Sequence, residues 1–309
     1  SYKSVISNGL VLDKNGNKMS KRLGNAVDPF GSIEKNGTDP LRWYMISNSS
    51  PWDNLKFDEA GVAEVSRKFF GTLYNTYSFF ALYANVDGFD NSAEQIEYSK
   101  RPEIDRWILS LLGSLIKEVE SDLDDYEPTK AARAISEFVT DNLSNWYVRL
   151  NRTRFWRGEM TEDKLSAYQT LYKCLETVAL LIAPFSPFYA DKLYRDLTLA
   201  TTGEEKSVHL AFFPKADDVI DKHLEEEMKF AQDITSMVLA LRRKANLKVR
   251  QPLMAIMIPV IDNEQKETID AMSQLIMGEV NVKEIRYVRS EDGILVKKVK
   301  PDFKKLGPK

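Results

Sequence analysis

The sequence predicts a mainly α-helical protein, in which a bundle of long amphipathic helices follows a short irregular segment and precedes a small α+β unit. Three observations carry that expectation. From Asp58 to about Leu197, apolar residues recur three and four positions apart, as in successive helices that each bury one face. Beyond residue 250, the short apolar runs "PLMAIMIPV", "NVKEIRYV" and "GILVKKV" read as strands around one helical stretch. Nowhere is there a parallel βαβ succession.

The elements follow in order. Residues 4–12 read as a hairpin around Asn8-Gly9, a dipeptide that tolerates positive φ. A polar loop, "DKNGNKMSKRLGN", comes next with glycines at 16 and 24. In "GTDPLRWYMI", Asp39 suits an N-cap and Pro40 a first helical turn, so a short helix starts there. The first long helix carries Val62, Val65, Phe69, Leu73, Thr76, Phe80 and Tyr83 on one side. Pro102 opens a second and Pro128 a third, which runs towards Trp156; Thr161 caps a fourth. "APFSPF" interrupts, because proline removes an amide donor and disfavours helix just before it. Helix resumes through Leu193 and Leu197, and another starts near Asp221.

The chain of 309 residues is 43% hydrophobic and 29% charged, the balance of a soluble globular protein long enough for two or three domains. It holds no apolar run of the roughly 18 residues that a membrane-spanning helix needs. Its single cysteine, Cys174, lies in an apolar helical stretch and reads as a buried side chain in a reducing, cytoplasmic setting. One cysteine and two histidines, His209 and His223, are too few for a familiar zinc site, and no metal site is expected. A formal net charge of −3 gives no global attraction for nucleic acid, so any such binding rests on local basic patches.

Lys18 and Lys21 bracket Met19 and Ser20 in the glycine-flanked loop. Such a loop can bring two ammonium groups and several backbone amides onto phosphates. A reaction that expels pyrophosphate gains from donors that tighten as charge builds on the leaving group. On the four letters alone, a solvated polar turn is the better account, because short motifs match by chance. Further along, Arg149, Arg152, Arg154 and Arg157 stand beside Trp146, Tyr147, Phe155 and Trp156, a mixture that can neutralise phosphates and stack unpaired bases. Helical spacing puts Arg149 and Arg152 on one face and Arg154 on another, and Trp146 continues an apolar face. Arg242, Arg243, Lys244, Lys248 and Arg250 form a second basic group, which also complements a helix C-terminus. A third comprises Lys297, Lys298, Lys300, Lys304 and Lys305, for which RNA contact and solubility compete.

"GLVLDKNGNKMSKRLGNAVDP" followed by "GTDPLRWYMISNSSPWDNLKF" resembles the signature-loop region of class I aminoacyl-tRNA synthetases, where the loop reads KMSKS and closes over ATP. Arg22 stands here in place of the last serine, and both lysines are retained. "NWYVRLNRTRFW" and "APFSPFYADKLYRDL" look like the helical anticodon-binding domain of the branched-aliphatic synthetases. "SVHLAFFP", "LRRKANLKVRQPL", "NVKEI" and "KPDFKKLG" are similar to the isoleucyl members of that family.

The resemblance implies the C-terminal part of such an enzyme, from the loop onward. The histidine-glycine-histidine signature, most of the nucleotide-binding fold and the editing domain would lie outside this chain. It implies residues 1–57 as the end of a catalytic domain, 58–215 as a helical anticodon-binding domain, and 216–309 as a helix plus a small α+β domain. It implies ATP-dependent formation of isoleucyl adenylate and transfer to tRNA-Ile by the intact enzyme, a monomer that needs magnesium. Lys18 and Lys21 would be catalytic, and Lys18, Met19, Ser20, Lys21 and Arg22 would meet ATP. Arg149, Arg152, Arg154, Trp156, Arg157, Arg242, Arg243, Lys248 and Arg250 would meet tRNA. A valyl relative and a non-catalytic helical RNA-binding module are the alternatives.

Overall fold

In the computed structural model the chain forms two units, Ser1–Ile220 and Asp221–Lys309. The structure describes residues 3–156, 158–202, 206–217 and 219–288.

The first unit begins with two short parallel strands, β1 (Val11–Leu12) and β2 (Leu55–Lys56), with Val11 opposite Leu55. No hairpin forms at Asn8-Gly9. Gly9 instead donates its amide to the Pro51 carbonyl at 2.8 Å. The backbones approach so closely that a Cβ at Gly9 would run into the carbonyl of Asp53.

Between the strands lie α1 (Pro29–Asn36), capped by Asp28, and α2 (Thr38–Asn48). Asp39 sits in the first turn of α2, yet it does not cap that helix; Gly37 does, without a side-chain bond. Asp39 is buried, and its Oδ2 accepts the amide of Tyr189 at 2.6 Å. Tyr189 lies in the first turn of another helix, introduced below.

The bundle starts at α3 (Glu59–Val65), where Asp58 Oδ1 accepts the Ala60 amide at 3.0 Å. A π-helical turn, Ser66–Phe70, leads directly into α4 (Gly71–Asp87). Val62, Phe69, Leu73, Thr76 and Phe80 face inward, as their spacing requires. α5 (Glu103–Asp124) follows Pro102. The third run is one continuous helical path: α6 (Pro128–Glu137), a long π-helical stretch (Phe138–Val148), then α7 (Arg149–Trp156).

α8 (Glu162–Ile182) opens on Thr161, whose hydroxyl accepts the Lys164 amide at 3.2 Å. It is the central helix: Tyr168, Leu171, Cys174, Leu175, Val178 and Ile182 are all buried. Fully burying a large apolar side chain is worth about 1.5–3 kcal/mol. Burial also pushes the Cys174 thiol pKa up, so this sulfur is an inert core group. α9 (Pro187–Thr202) begins at the proline after Ser186, and Tyr189, the residue held by Asp39, is in its first turn.

α2 is fastened to the bundle at both ends. At one end Arg42 donates to the carbonyls of Phe185 (2.8 Å) and Pro184 (3.3 Å). At the other, Thr129 and Arg133 of α6 donate to the last carbonyls of α2: Thr129 to Ile46 at 2.7 Å, Arg133 to Ser47 at 2.8 Å and to Asn48 at 3.0 Å. Trp43 stacks on Phe69 with 4.2 Å between ring centroids.

The second unit holds α10 (Lys222–Lys244), capped by Asp221, then β3 (Leu253–Pro259), α11 (Asn263–Ala271), α12 (Ser273–Val280) and β4 (Val282–Val288). β3 and β4 pair in parallel, with Ile256 opposite Ile285. The sequence showed no parallel crossover, but here two short helices carry the chain back over the sheet, as parallel pairing demands. The expected strand "GILVKKV" and the lysines from 297 to 305 lie outside the described residues.

Candidate phosphate-binding loop and nucleic-acid interface

The lysine loop has a hydrogen-bonded backbone and exposed cationic side chains. Asp13 begins the turn: Gly16 (φ 87°) donates to the Asp13 carbonyl at 2.9 Å, and the Asn17 amide reaches Asp13 Oδ1 at 2.8 Å. Asn25 closes the other side. Its Oδ1 accepts the Ser20 amide at 2.9 Å, while its Nδ2 donates to the Lys18 carbonyl at 3.2 Å and to Asp13 Oδ2 at 3.0 Å. One side-chain amide therefore ties residues 13, 18 and 20 together. These bonds, first from the Asn25 side chain and then from the Asn17 amide, hold the Asp13 carboxyl below its ordinary pKa.

Ser20 caps a single 3-10 turn, Lys21–Leu23, by accepting the Arg22 amide at 3.2 Å, and Gly24 (φ 66°) ends it. Met19 packs against Tyr44, Leu55, Phe57 and Val62, which anchors the loop to the core. A pocket of about 290 Å³ lies beneath it, with Val27, Leu41, Met45 and Phe57 in its wall. Lys18, Lys21 and Arg22 are exposed. Neither lysine ammonium has a carboxylate within ion-pair distance among the described residues. The arrangement suits a polyanion: fixed backbone, mobile charge. Sequence reasoning overlooked Asp13 and Asn25, although an Asp three residues before a glycine turn is a local signal.

The arginine cluster divides. Arg149, Arg152 and Trp156 are exposed and lie three, four and seven residues apart, one stripe along α7. Arg149 also sits over the Trp146 ring, 5.8 Å from its centroid, and Trp146 is buried. Arg154 turns inward. It grips Asp105 through Nη1 at 2.6 Å and Nη2 at 2.9 Å, and reaches Asp163 through Nε at 3.0 Å. Burial works against its charge, but the bonds and charge of Asp105 outweigh that and raise its pKa. Arg157 lies outside the described residues.

The second basic group divides likewise. Arg242 is buried and donates to four backbone carbonyls: Gln251 (2.9 Å), Val280 (3.1 Å), Asn281 (3.1 Å) and Lys248 (3.2 Å). It joins the end of α10 to the segments that lead into β3 and β4. Arg243, Lys248 and Arg250 are exposed.

Among the described residues no group of His, Cys, Asp or Glu is placed to hold a metal ion. No described helix is long and apolar enough to cross a membrane.

Residues 1–58 match the family model of tRNA synthetases class I (I, L, M and V), and residues 105–257 match the anticodon-binding domain of tRNA ligase. Isoleucine–tRNA ligase of Bacteroides thetaiotaomicron is 72% identical over the whole of this chain, which covers 27% of that protein. The Porphyromonas gingivalis isoleucine–tRNA ligase is 68% identical, again over all of this chain and 27% of the relative. The chain thus spans about a quarter of the length of the relatives it matches. Among solved structures, methionyl-tRNA synthetase of Mycobacterium tuberculosis bound by methionyl-adenylate aligns with a TM-score of 0.52 at 23% identity, over 70% of this chain and 43% of that one. A ternary complex of Agrobacterium radiobacter K84 LeuRS, tRNA and LeuAMS aligns at 0.51 and 19%, over 69% and 24%. These two show a shared fold.

Proposed function

The chain belongs to the class I tRNA synthetases and aligns with isoleucine–tRNA ligases along its whole length, and from that premise we propose that it serves isoleucine activation and tRNA-Ile recognition within a longer ligase. In that reaction the isoleucine carboxylate attacks the α-phosphorus of ATP, and pyrophosphate leaves. A terminal ribose hydroxyl of the tRNA then takes the acyl group and AMP leaves. Lys18 and Lys21 meet the β- and γ-phosphates, and their charge counts most as the leaving group forms. Met19, Ser20 and Arg22 complete the ATP-facing loop. Among the described residues no group of His, Cys, Asp or Glu is placed to hold magnesium.

Residues 1–57 act as the end of the catalytic domain, 58–215 as the anticodon-binding domain and 216–309 as its C-terminal companion. Arg149, Arg152 and Trp156 form an RNA-facing stripe in the first unit, and Arg243, Lys248 and Arg250 form a basic group for RNA in the second. Arg154 and Arg242 are each engaged inside their own unit and serve the neighbouring exposed residues indirectly. The setting is the cytoplasm and the working form a monomer.

One observation carries the reading: two exposed lysines without carboxylate partners stand on a backbone fixed by Asn25, inside the region that matches the synthetase model. The test is binding of this chain to tRNA-Ile and to the same tRNA with a changed anticodon, at two salt concentrations. A preference for the native anticodon that survives added salt supports the reading. Equal and steeply salt-dependent binding reduces the interface to phosphate contacts and removes the recognition role. A preference for tRNA-Val would favour the valine branch.

A further inference from the structure

The corner between α7 and α8 is nailed down by two cations, a part-buried Arg154 and a buried Lys164, each held by a carboxylate from a different helix. Arg154, from α7, sits on Asp105 of α5, which is fully buried. Asp105 also accepts the Tyr147 hydroxyl at 2.8 Å and the Ser166 hydroxyl at 2.6 Å, so three helical segments converge on one carboxylate. From the same guanidinium, Nη2 reaches across the corner to the Asp163 carbonyl at 2.7 Å. Lys164, in the first turn of α8, is also buried; it pairs with Asp87 of α4 at 2.6 Å and donates to the Gly158 carbonyl at 3.3 Å. Gly158 itself has φ 66°.

A buried ion pair is a poor source of stability, because desolvation offsets most of its attraction. A well-packed apolar pair would hold the helices together at least as well. What charge and directed hydrogen bonds supply is a single geometry. Two residues from Arg154, on either side of it, Arg152 and Trp156 point outward.

We propose that the Asp105–Arg154 pair, backed by Lys164–Asp87, is a positioning device that presets Arg152 and Trp156 for unpaired RNA bases. This rests on the anticodon-binding reading above and adds to it the residues that set specificity from behind. Arg154 acts through its neighbours and touches no RNA.

The test uses the whole chain with three changes: Arg154→Lys, the apolar double replacement Asp105→Leu with Arg154→Met, and the mild Asp163→Asn at the exposed rim. Two quantities are read: the ratio of affinities for tRNA-Ile with native and with changed anticodon, and hydrogen exchange of amides 154–164. The double replacement is expected to stay folded and keep its salt-dependent binding to the changed tRNA. Its anticodon ratio should fall by about tenfold or more, equivalent to about 1.4 kcal/mol, while exchange at the corner accelerates. Arg154→Lys should do the same in lesser degree, and Asp163→Asn less again. A folded variant that lacks the pair but keeps both the ratio and the protection overturns the inference. Accelerated exchange with an unchanged ratio also overturns it, since the corner would then be set without consequence for RNA. If the unaltered chain shows no anticodon preference, the anticodon reading itself fails, and the exchange data alone report whether the pair fixes the corner.

Discussion

Asp39 and Tyr189 are 150 positions apart in sequence, and the carboxylate of one holds the amide of the other at 2.6 Å. A residue at the start of α2 thereby caps α9. Replacing Asp39 by alanine should destabilise the first unit by about 1–2 kcal/mol, the usual range for a lost cap. Asparagine, which can still accept the amide, should cost less. Urea denaturation followed by circular dichroism measures both.

The same aspartate has a pH signature. Burial raises its pKa, only partly opposed by the Tyr189 amide and by Arg42. A carboxyl with a raised folded-state pKa favours the folded protein most below the unfolded value. That contribution is lost as pH rises through the folded value. Asp39→Asn should flatten this part of the stability–pH curve; an unchanged slope between pH 4 and 7 would speak against it.

At the lysine loop, Asn25→Ala removes three bonds at once, to residues 13, 18 and 20. Amide exchange over residues 18–23 should quicken, while the melting of the bundle stays within about 0.5 kcal/mol of its original stability. Asp13 adds a pH limit. Its pKa is lowered, so its support is present above the unfolded value and fades as pH falls through the folded one. Loop protection should therefore survive to mildly acidic pH and drop only below about pH 4, the ordinary range for an aspartate.

Arg242 and Arg243 are neighbours with opposite expectations. Arg242→Met leaves four carbonyls without their donor and should cost about 3 kcal/mol or more in the second unit, since each buried unsatisfied group costs about 1–3 kcal/mol. Arg243→Ala should leave stability unchanged and reduce the salt slope of tRNA binding by about one phosphate contact. Thermal melts and salt titrations, run on both variants, separate the two.

Where the sequence was legible, the chemistry was local. Asp58, Thr161 and Asp221 cap the helices that follow them, because a cap acts on amides two or three residues away. The inward spacing from Val62 to Phe80 and the buried face of α8 follow from helical geometry alone. What could not be read depends on distant partners. Gly9 looked like a hairpin glycine, but its small size serves a close approach to Asp53. Helical spacing set Arg154 on another face from Arg149 and Arg152, but its partner Asp105 is distant in sequence, and Arg242 looked like its exposed neighbours, from which only the carbonyls at 248, 251, 280 and 281 distinguish it. Asn25 lacked any charge to draw notice, though it organises the loop.

The π-helical stretch between α6 and α7 acts as a phase setter for everything after it. In an α-helix each residue turns the path by about 100°. Deleting one residue between Phe138 and Val148, with the wide turns kept, would rotate α7 about its own axis. Arg154 would swing away from Asp105, and a different side chain would take the place of Trp156 on the outer stripe. Every composition-based property of the chain would survive such a deletion. The spare residues in that stretch thus work as a vernier, and the length of the segment, more than its identity, decides which arginine looks inward.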